Sequence, residues 1–209
     1  RTVLFVSHNM AAVKSLCKTG IVLKDGEIIF KGTADESVSN YLSSEENNSK
    51  IKLSNRKDRV GNGKFKFNEI HFYDYKNNNI KEFISGERLK IKINYIKVSE
   101  FNASNIIISL IFRDNLKQIV ASFVSDEIEN NLNLTENKGE FSLEIPKLYL
   151  RSERYEVMLL SFDSSPTSKQ SLDIIEDVTY INVLQGDVSN IGKLNRTGFS
   201  AVFPARYFN

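Results

Sequence analysis

Short runs in which apolar and polar residues alternate are the feature that most restricts how this chain can fold. Beyond Val60, apolar and aromatic residues occur in eight short runs separated by clusters of Asn, Gly, Ser and Asp, and several of these runs alternate plainly. In the run from residue 88 to residue 98, Leu89, Ile91 and Ile93 alternate with Lys90, Lys92 and Asn94. A period of two is what a strand with one buried face requires. The sequence therefore predicts a mainly β chain, with residues 60–209 folded as an antiparallel β-sandwich of the immunoglobulin-like or jelly-roll type.

The runs and the residues between them predict the order of the strands. The predicted strands are Lys64–Tyr75, Arg88–Val98, Asn105–Arg113, Gln118–Ser125, Gly139–Ile145, Tyr155–Asp163, Asp177–Leu184 and Gly198–Phe203. The alternation in the first strand changes phase near Asn68 and Glu69, which predicts a β-bulge there. Residues 77–79 and 113–115 predict hairpin turns.

Composition excludes several classes of protein. The 209 residues are 41% hydrophobic, which is enough apolar material for a core. The formal net charge of +2 gives no general attraction for nucleic acid, and we expect no nucleic-acid partner. Cys17 is the single cysteine, so neither a disulfide framework nor a cysteine zinc site is expected, and no metal site is predicted. No apolar run has the roughly 18 residues of a membrane span. We expect a cytoplasmic chain.

The first forty residues have a different pattern. Residues 2–6 (TVLFV) predict a strand, and apolar residues at helical spacing follow from Met10. Asp25-Gly26 predicts the turn of a short hairpin, and residues 33–36 (TADE) form a capping box that opens a second helix. A buried strand as apolar as TVLFV needs neighbours on both sides. We therefore expect this chain to be a piece of a longer protein.

The segments VLFVSHNMAAV, LCKTGIVLKDGEIIFKG and ESVSNYL resemble the C-terminal end of an ABC transporter nucleotide-binding domain. The resemblance implies that residues 1–42 are an α/β remnant of such a domain, and that His8 matches the switch histidine that contacts the γ-phosphate. The chain has no G-x-x-x-x-G-K-[ST] loop, so nothing here cradles phosphates. We expect no catalytic residue and no cofactor in this chain. ATP and magnesium would belong to the full-length ATPase.

Residues 43–59 are polar and charged, which predicts a linker. An ABC tail joined to a β domain resembles the Wzt family, the ATP-binding subunits of O-antigen exporters. The segments RVGNGKFKFNEIHFYD, FISGERLKIKINY and IPKLYLRSERYEVMLLSF resemble the carbohydrate-binding domain of that family, although Arg154 stands where a glycine is expected. The resemblance implies a module that binds the non-reducing end of a lipid-linked O-antigen and couples chain recognition to export. It also implies a permease partner at the inner face of the cytoplasmic membrane, and a homodimer with possible exchange of the C-terminal strand.

Sugar sites use aromatic faces together with planar amides, carboxylates and arginine. On that basis the candidate binding residues are Tyr73, Asn94, Arg113 and Tyr155. Each tyrosine has the alternative interpretation of a partly buried side chain with its hydroxyl at the rim, and Arg113 that of a turn residue. The carboxylates show no pair at a spacing that singles out a glycosidase.

The alternative function is a dimerisation or regulatory module of an ABC ATPase that has no glycan site. The closing run FSAVFPARYF favours this alternative, because the run is apolar on both sides of Pro204. As an exposed sheet edge it would promote aggregation.

Overall fold

The computed structural model describes residues 3–6, 10–24, 26–46, 51–98, 101, 106–128, 132, 134–165 and 168–203. The chain divides into two units, Arg1–Ser49 and Lys50–Asn209. The second unit starts ten residues before the predicted domain start at residue 60. None of the helices in the described part of the chain has the length and hydropathy to cross a lipid bilayer.

The first unit contains the helix, hairpin and capped helix that its sequence predicts. These are α1 (Met10–Leu16), β1 (Thr19–Lys24), β2 (Glu27–Thr33) and α2 (Ala34–Glu46), with β1 and β2 antiparallel. The capping box is complete. The Thr33 N–H donates to the Glu36 carboxylate at 2.9 Å, and the Glu36 N–H donates to Thr33 Oγ1 at 3.2 Å. This reciprocal pair satisfies N–H groups that a helix start would otherwise leave free.

The strand predicted at residues 2–6 is not present among the described residues. Residues 3–6 have no secondary structure, and Val3, Leu4 and Val6 are 83%, 86% and 88% exposed. A strand this apolar needs paired neighbours, and no described strand pairs with it. His8, the predicted switch histidine, lies outside the described residues.

Two sheets form the second unit. Its elements are β3 (Ile51–Lys52), β4 (Phe65–Tyr73), β5 (Glu82–Ile84), β6 (Leu89–Lys97), β7 (Ile106–Arg113), β8 (Ile119–Val124), α3 (Ser125–Ile128), β9 (Lys138–Ile145), β10 (Arg154–Ser165) and β11 (Ser168–Leu184). The four-stranded sheet has the order β3-β4-β6-β9, and the five-stranded sheet has the order β5-β11-β10-β7-β8. All of these pairs are antiparallel except β5 with β11. The predicted mainly β fold is confirmed.

The core lies between the inward faces of the two sheets. Its largest contributions are Phe65, Phe67, Ile70, Phe72, Leu89, Ile91, Ile93 and Tyr95 from one sheet, and Ile108, Leu110, Phe112, Tyr155, Val157, Leu159, Ile175 and Ile181 from the other. Each large side chain buried in this way contributes about 1.5–3 kcal/mol. Because inward residues recur at every second position, the residues between them point out to solvent.

The predicted bulge in β4 is present. The register between β4 and β6 shifts between Phe67 and Glu69, so Asn68 is the extra residue. Its insertion lets Phe67 and Ile70 both face the core although they are three residues apart. Glu69 and the alternate residues after it therefore point outward.

The structure differs from the sequence prediction at both ends of the sandwich. Of the predicted linker 43–59, α2 occupies the part up to Glu46, and residues 51–59 pack on the sandwich: β3 pairs with β4, and Leu53 is fully buried. The predicted closing strand Gly198–Phe203 is wrong, because these residues form only an isolated bridge at Ala201. The sequence also missed β5 and the first half of β11.

Candidate functional site

The outward side of the four-stranded sheet carries a dense set of polar side chains. The outward residues are Glu69, His71 and Tyr73 of β4, Lys90, Lys92 and Asn94 of β6, and Glu140, Ser142 and Glu144 of β9. We call these residues the polar face. They form rows across the sheet, with Asn94 between Glu69 and Glu140, Lys92 between His71 and Ser142, and Lys90 between Tyr73 and Glu144. From the Glu69 row to the Tyr73 row the face extends about 13 Å.

Asn94 lies at the centre of a row that has a carboxylate on each side. Its neighbours across the sheet are Glu69 and Glu140, each one strand away at about 5 Å. An amide offers two N–H donors and an acceptor in one plane. Within the described residues the Asn94 side chain makes no hydrogen bond, so its donors and acceptor are available to a ligand.

Lys92 and Glu140 form an ion pair in the middle of the polar face. Lys92 Nζ lies 2.7 Å from Glu140 Oε1, and the Glu140 side chain is 52% exposed. The hydrogen bond to Glu140 raises the pKa of the Lys92 ammonium above its usual value. A pair this exposed contributes little to stability, about 0–1 kcal/mol. Its charged groups therefore remain available for hydrogen bonding to a ligand.

Tyr73 supplies aromatic surface on the same face, next to the ring of His71, which is buried. Their rings stack with centroids 6.4 Å apart and planes 28° apart. His71 Nε2 lies 3.5 Å from Glu69 Oε2, and His71 Nδ1 lies 3.4 Å from the side-chain nitrogen of Asn79. These contacts fix the imidazole ring, and the stacked Tyr73 ring stays partly exposed at the end of β4.

This arrangement suits an uncharged ligand that has many hydroxyl groups. Such a ligand needs donors and acceptors side by side, and the polar face offers both in every row. Among the residues that the structure describes, no group of three or more His, Cys, Asp or Glu side chains is placed to hold a metal ion. The side chains of the polar face can bind a ligand through hydrogen bonds and ring contacts.

The structure brings together two of the four predicted binding residues. Tyr73 and Asn94 share the polar face, two rows apart. Arg113 and Tyr155 belong to β7 and β10 of the other sheet, so neither can contact a ligand on the polar face.

Arg113 belongs to a compact group of charges on the outward side of the five-stranded sheet. Arg113 Nε donates to Glu156 at 2.7 Å, and Arg113 Nη1 lies 3.1 Å from Glu176 Oε2. Lys117 donates to both Glu156 and Asp177. Burial alone would lower the pKa of Arg113, but the hydrogen bonds to Glu156 and Glu176 raise it. We call Arg113, Lys117, Glu156, Glu176 and Asp177 the ion cluster. The carboxylates of this cluster accept the hydrogen bonds of the Arg113 guanidinium, which was predicted to bind sugar.

Tyr155 is a core residue and not a binding residue. Its side chain is fully buried, and its hydroxyl donates to the Arg151 carbonyl at 2.9 Å, with the Gly198 carbonyl at 3.2 Å. The ring packs edge-on against Phe199 at 5.7 Å. Burial raises the pKa of the Tyr155 phenol. A ring with no exposed side cannot stack on a sugar, and the hydroxyl holds the closing segment to the sandwich.

Sequence reasoning missed the two carboxylates that flank Asn94. Glu140 lies in a run whose alternation already assigned it to the outward side of its strand. Glu69 follows the bulge, so its orientation depends on the phase change that the sequence showed. The signal for both was present, but the sheet order that places them beside Asn94 could not be read from one sequence.

Comparison with known proteins agrees with this fold. The sequence pattern of the Wzt C-terminal domain matches residues 56–201. A crystal structure of the C-terminal domain of Wzt superposes with a TM-score of 0.56 at 14% sequence identity, over 72% of this chain and 90% of that chain. At that identity the likeness concerns the fold. No curated protein sequence matches the chain. Because the family pattern covers more than half of the residues, this chain belongs to the Wzt C-terminal domain family.

Proposed function

We propose that this chain binds carbohydrate through the polar face. The ligand would be the non-reducing terminal region of a lipid-linked O-antigen polysaccharide, and its recognition would be coupled to export by an ABC transporter. Membership of the Wzt C-terminal domain family supports the ligand class. The observation that carries the site is the Asn94 amide, which has no hydrogen bond within the described residues and lies between Glu69 and Glu140.

The first unit would be the end of an ABC nucleotide-binding domain. Its hairpin exposes apolar side chains on both strands, with Leu23 64% and Ile28 62% exposed. Such side chains fit a hairpin that other parts of a larger domain cover. In the full-length protein ATP and magnesium would be bound by that domain, His8 would act as its switch histidine, and a permease would hold the protein at the inner face of the cytoplasmic membrane.

The test is titration of the 209-residue chain with purified O-polysaccharide, followed by NMR and calorimetry. Backbone shifts should cluster on β4, β6 and β9. Asn94→Ala and Glu140→Gln should each weaken binding about tenfold or more, because each removes hydrogen bonds to the ligand. The matched control is Asn182→Ala, a partly exposed asparagine on the other sheet, which should bind like the unmodified chain.

Three outcomes test three parts of the proposal: recognition of the chain end, the location of the site and the class of ligand. Loss of binding after the non-reducing terminus is trimmed would support recognition of the chain end. Tight binding that Asn94→Ala does not change would reject the polar face as the site. A flat titration with every glycan from the parent envelope would reject carbohydrate binding itself.

The alternative is a dimerisation or regulatory module, and the closing segment favours it. Phe203 is 80% exposed, and the segment before it is held to residues 149–152 by a few backbone contacts, such as Val202 N–H to the Tyr149 carbonyl at 2.7 Å. The same segment also bonds to Tyr155 through the Gly198 carbonyl and packs Phe199 on its ring, contacts that a second copy could make equally if the segment exchanged. A concentration-dependent dimer together with a flat glycan titration would favour this alternative. A dimer that binds glycan would fit the main proposal.

A further inference from the structure

Strand β9 is the longest of the strands that form the edges of the two sheets. The edge strands β3, β5, β8 and β9 have 2, 3, 6 and 8 residues. The pairing of β9 with β6 runs from Ile145 to Lys138 without a register shift. Among the strands that the structure describes, none pairs with the other side of β9. Proteins ordinarily shorten, bulge or cover an edge of this kind, because its unpaired backbone groups can pair with another chain.

One hydrogen bond shows which residues of β9 have unpaired backbone groups. The Lys97 N–H donates to the Asn137 carbonyl at 2.8 Å, and in an antiparallel ladder such bonded pairs alternate with non-bonded ones. The residues of β9 that bond to β6 are therefore Gly139, Phe141, Leu143 and Ile145. The N–H and C=O groups of the residues between them point away from β6. We call these residues the free edge, and they are Lys138, Glu140, Ser142 and Glu144.

The core side of β9 is also incompletely covered. Phe141 and Leu143 pack against the core but stay partly exposed, whereas their neighbours on β6, Ile93 and Ile91, are almost fully buried. A further strand beside β9 would cover both side chains. It would therefore gain apolar burial as well as backbone hydrogen bonds.

The free edge is complementary to itself. When two copies of β9 run antiparallel with Phe141 opposite Phe141, Lys138 lies opposite Glu144 of the second copy, and Glu140 lies opposite Ser142. All four free-edge residues then have an opposite residue, and each opposed pair exchanges two backbone hydrogen bonds. Opposite charges at directly opposed positions add to the stability of such a pair.

Other registers lose this complementarity. Because only alternate residues have free backbone groups, the register changes in steps of two residues. One step places Glu140 opposite itself, and the step in the other direction places Glu140 opposite Glu144, and like charges in these positions are destabilising. Glu140 and Glu144 already pair with Lys92 and Arg88 of their own chain, but the two carboxylates are 52% and 51% exposed. Lys138 has no ion pair within the described residues, so its charge is available to the second copy.

We propose that two copies of this chain associate through the free edge of β9. The two four-stranded sheets would join into one continuous sheet, with a two-fold axis perpendicular to it at Phe141. Each copy uses its free edge once, so the assembly closes as a dimer. The second copy is the occupant that the register and the charges favour, because β9 itself supplies both halves of every opposed pair.

The dimer would bring the two polar faces together. Since the two-fold axis is perpendicular to the sheet, the outward side chains of both copies lie on the same side. Asn94 and its counterpart would be about 16 Å apart, three strand spacings across the sheet and two residues along it. A polysaccharide that contacts both would bind more tightly through avidity. Only this consequence rests on the proposed function, because the association itself needs no glycan.

The experiment uses the full 209-residue chain without glycan. Sedimentation velocity from about 1 µM to about 1 mM should show a reversible dimer, since one strand pair is a small interface that gives weak association. Amide hydrogen exchange followed by NMR locates that interface. The Glu140 and Ser142 amides should exchange at least about tenfold more slowly in the dimer than in the monomer. The Phe141 and Leu143 amides, which bond to β6, should be protected at both concentrations.

Ser142→Pro tests the backbone pairing. It removes a donor of the free edge and no bond to β6, and proline is compatible with an edge strand at such a position. The dimer should weaken about a hundredfold or more, because two donors are lost and the carbonyls opposite them stay unpaired. The matched control is Ser142→Ala, which keeps the N–H and should dimerise like the unmodified chain. Circular dichroism melts establish that each variant is folded.

Charge variants test the register. Lys138→Glu alone and Glu144→Lys alone each place like charges opposite each other twice, so each should weaken the dimer about tenfold. An equimolar mixture of the two variants should form a heterodimer, because every opposed pair then joins opposite charges. The control is Lys66→Glu, the same change of charge at an exposed lysine of β4, which should leave association unchanged.

Four results would overturn the proposal: a chain that stays monomeric at 1 mM, free-edge amides that exchange equally fast at both concentrations, a dimer that Ser142→Pro does not weaken, or a mixture of the charge variants that forms no heterodimer. A dimer that survives Ser142→Pro but is lost when residues 198–209 are removed would assign the association to the closing segment instead.

Discussion

Arg59 and Asp173 form a buried ion pair whose hydrogen-bonding groups are almost all used. Arg59 Nε donates to Asp173 Oδ1 at 2.9 Å, and its Nη atoms donate to the Leu53 and Phe67 carbonyls at 3.0 and 2.8 Å. The Phe67 N–H donates to Asp173 Oδ2 at 2.9 Å. The pair joins the segment before β4 to β11 of the other sheet. Because burial is nearly complete, loss of one partner would leave the other charge without compensation.

Asp173→Asn should therefore lower the free energy of unfolding by about 3–5 kcal/mol, the cost of breaking a buried pair. Urea unfolding measures this as a lower midpoint at an unchanged slope. The control is Glu144→Gln at the exposed Arg88–Glu144 pair (3.0 Å), which should cost no more than about 1 kcal/mol. Equal costs at the two sites would contradict the structural role given to Asp173.

At the scale of the element, the bulge in β4 lies next to Phe67, whose backbone bonds to both members of the Arg59–Asp173 pair. The backbone N–H of Phe67, next to the bulge, donates to Asp173, and the Phe67 carbonyl accepts from Arg59. The Asn68 carbonyl accepts from the Leu53 N–H at 2.8 Å. These backbone groups of β4 point away from β6 and towards the segment that precedes the strand.

Deletion of Asn68 should remove these contacts and leave the orientation of the strand unchanged. The shortened strand would keep Phe67 inward, Glu69 outward and Ile70 inward, so the polar face should survive. Stability should fall by about 2–5 kcal/mol, because hydrogen bonds to charged groups are lost. In a double-mutant cycle measured by urea unfolding, the deletion and Asp173→Asn should together cost less than the sum of the two. The deletion combined with Glu144→Gln should be additive, and additivity in both cycles would contradict the coupling.

The alternation of apolar residues was enough to predict most strands, because each predicted strand has one face in the core. Period-two patterns gave β4, β6 and β9, short apolar runs gave β7, β8 and β10, and the change of phase gave the bulge. The pattern has no such signal in β5, which is three residues long, or at the start of β11, where Ser168–Ser171 is wholly polar.

The candidate site was predictable only in part, for a related reason. Alternation showed that Tyr73 and Asn94 point outward, and neighbouring strands then placed them on one face. Tyr155 also lies in an alternating strand, but which side of that strand faces the core depends on the opposite sheet. Arg113 looked like a turn residue, whereas the bulged part of β11 brings Glu176 and Asp177 to it. Contacts across 63 residues of sequence leave no local pattern.

At the scale of the whole molecule, the ion cluster links the stability of the sandwich to pH. Hydrogen bonding with Glu156, and then with Lys117, lowers the pKa of Asp177 below its ordinary value of 3.8. A carboxyl whose pKa is lower in the folded state stabilises the fold above its ordinary pKa, and this stabilisation is lost as the pH falls through the folded value. Lys117 behaves in the opposite way, because Asp177 and then Glu156 raise its pKa, so its contribution is lost above about pH 10.5.

The unmodified chain should lose stability steadily as the pH falls below about 4, and Asp177→Asn should flatten that dependence. At pH 7 the variant should be less stable by about 1 kcal/mol, a modest cost because the Asp177 side chain is 49% exposed. Urea midpoints measured from pH 2.5 to pH 7 test this. Asp126→Asn, an exposed carboxylate outside the ion cluster, is the control and should follow the unmodified curve. An unchanged acid dependence in Asp177→Asn would show that other carboxylates dominate.

The Arg59–Asp173 pair also has a consequence for synthesis of the chain. Its partners are 114 residues apart, so a nascent polypeptide on the ribosome carries Arg59 long before Asp173 has been translated. A chain that has emerged as far as Ile145 holds all the strands of the four-stranded sheet, yet β10 and β11, which cover its apolar side, do not exist. Throughout this interval that side is open to aggregation. We expect this exposure to end only when the last strand has left the ribosome and can pair.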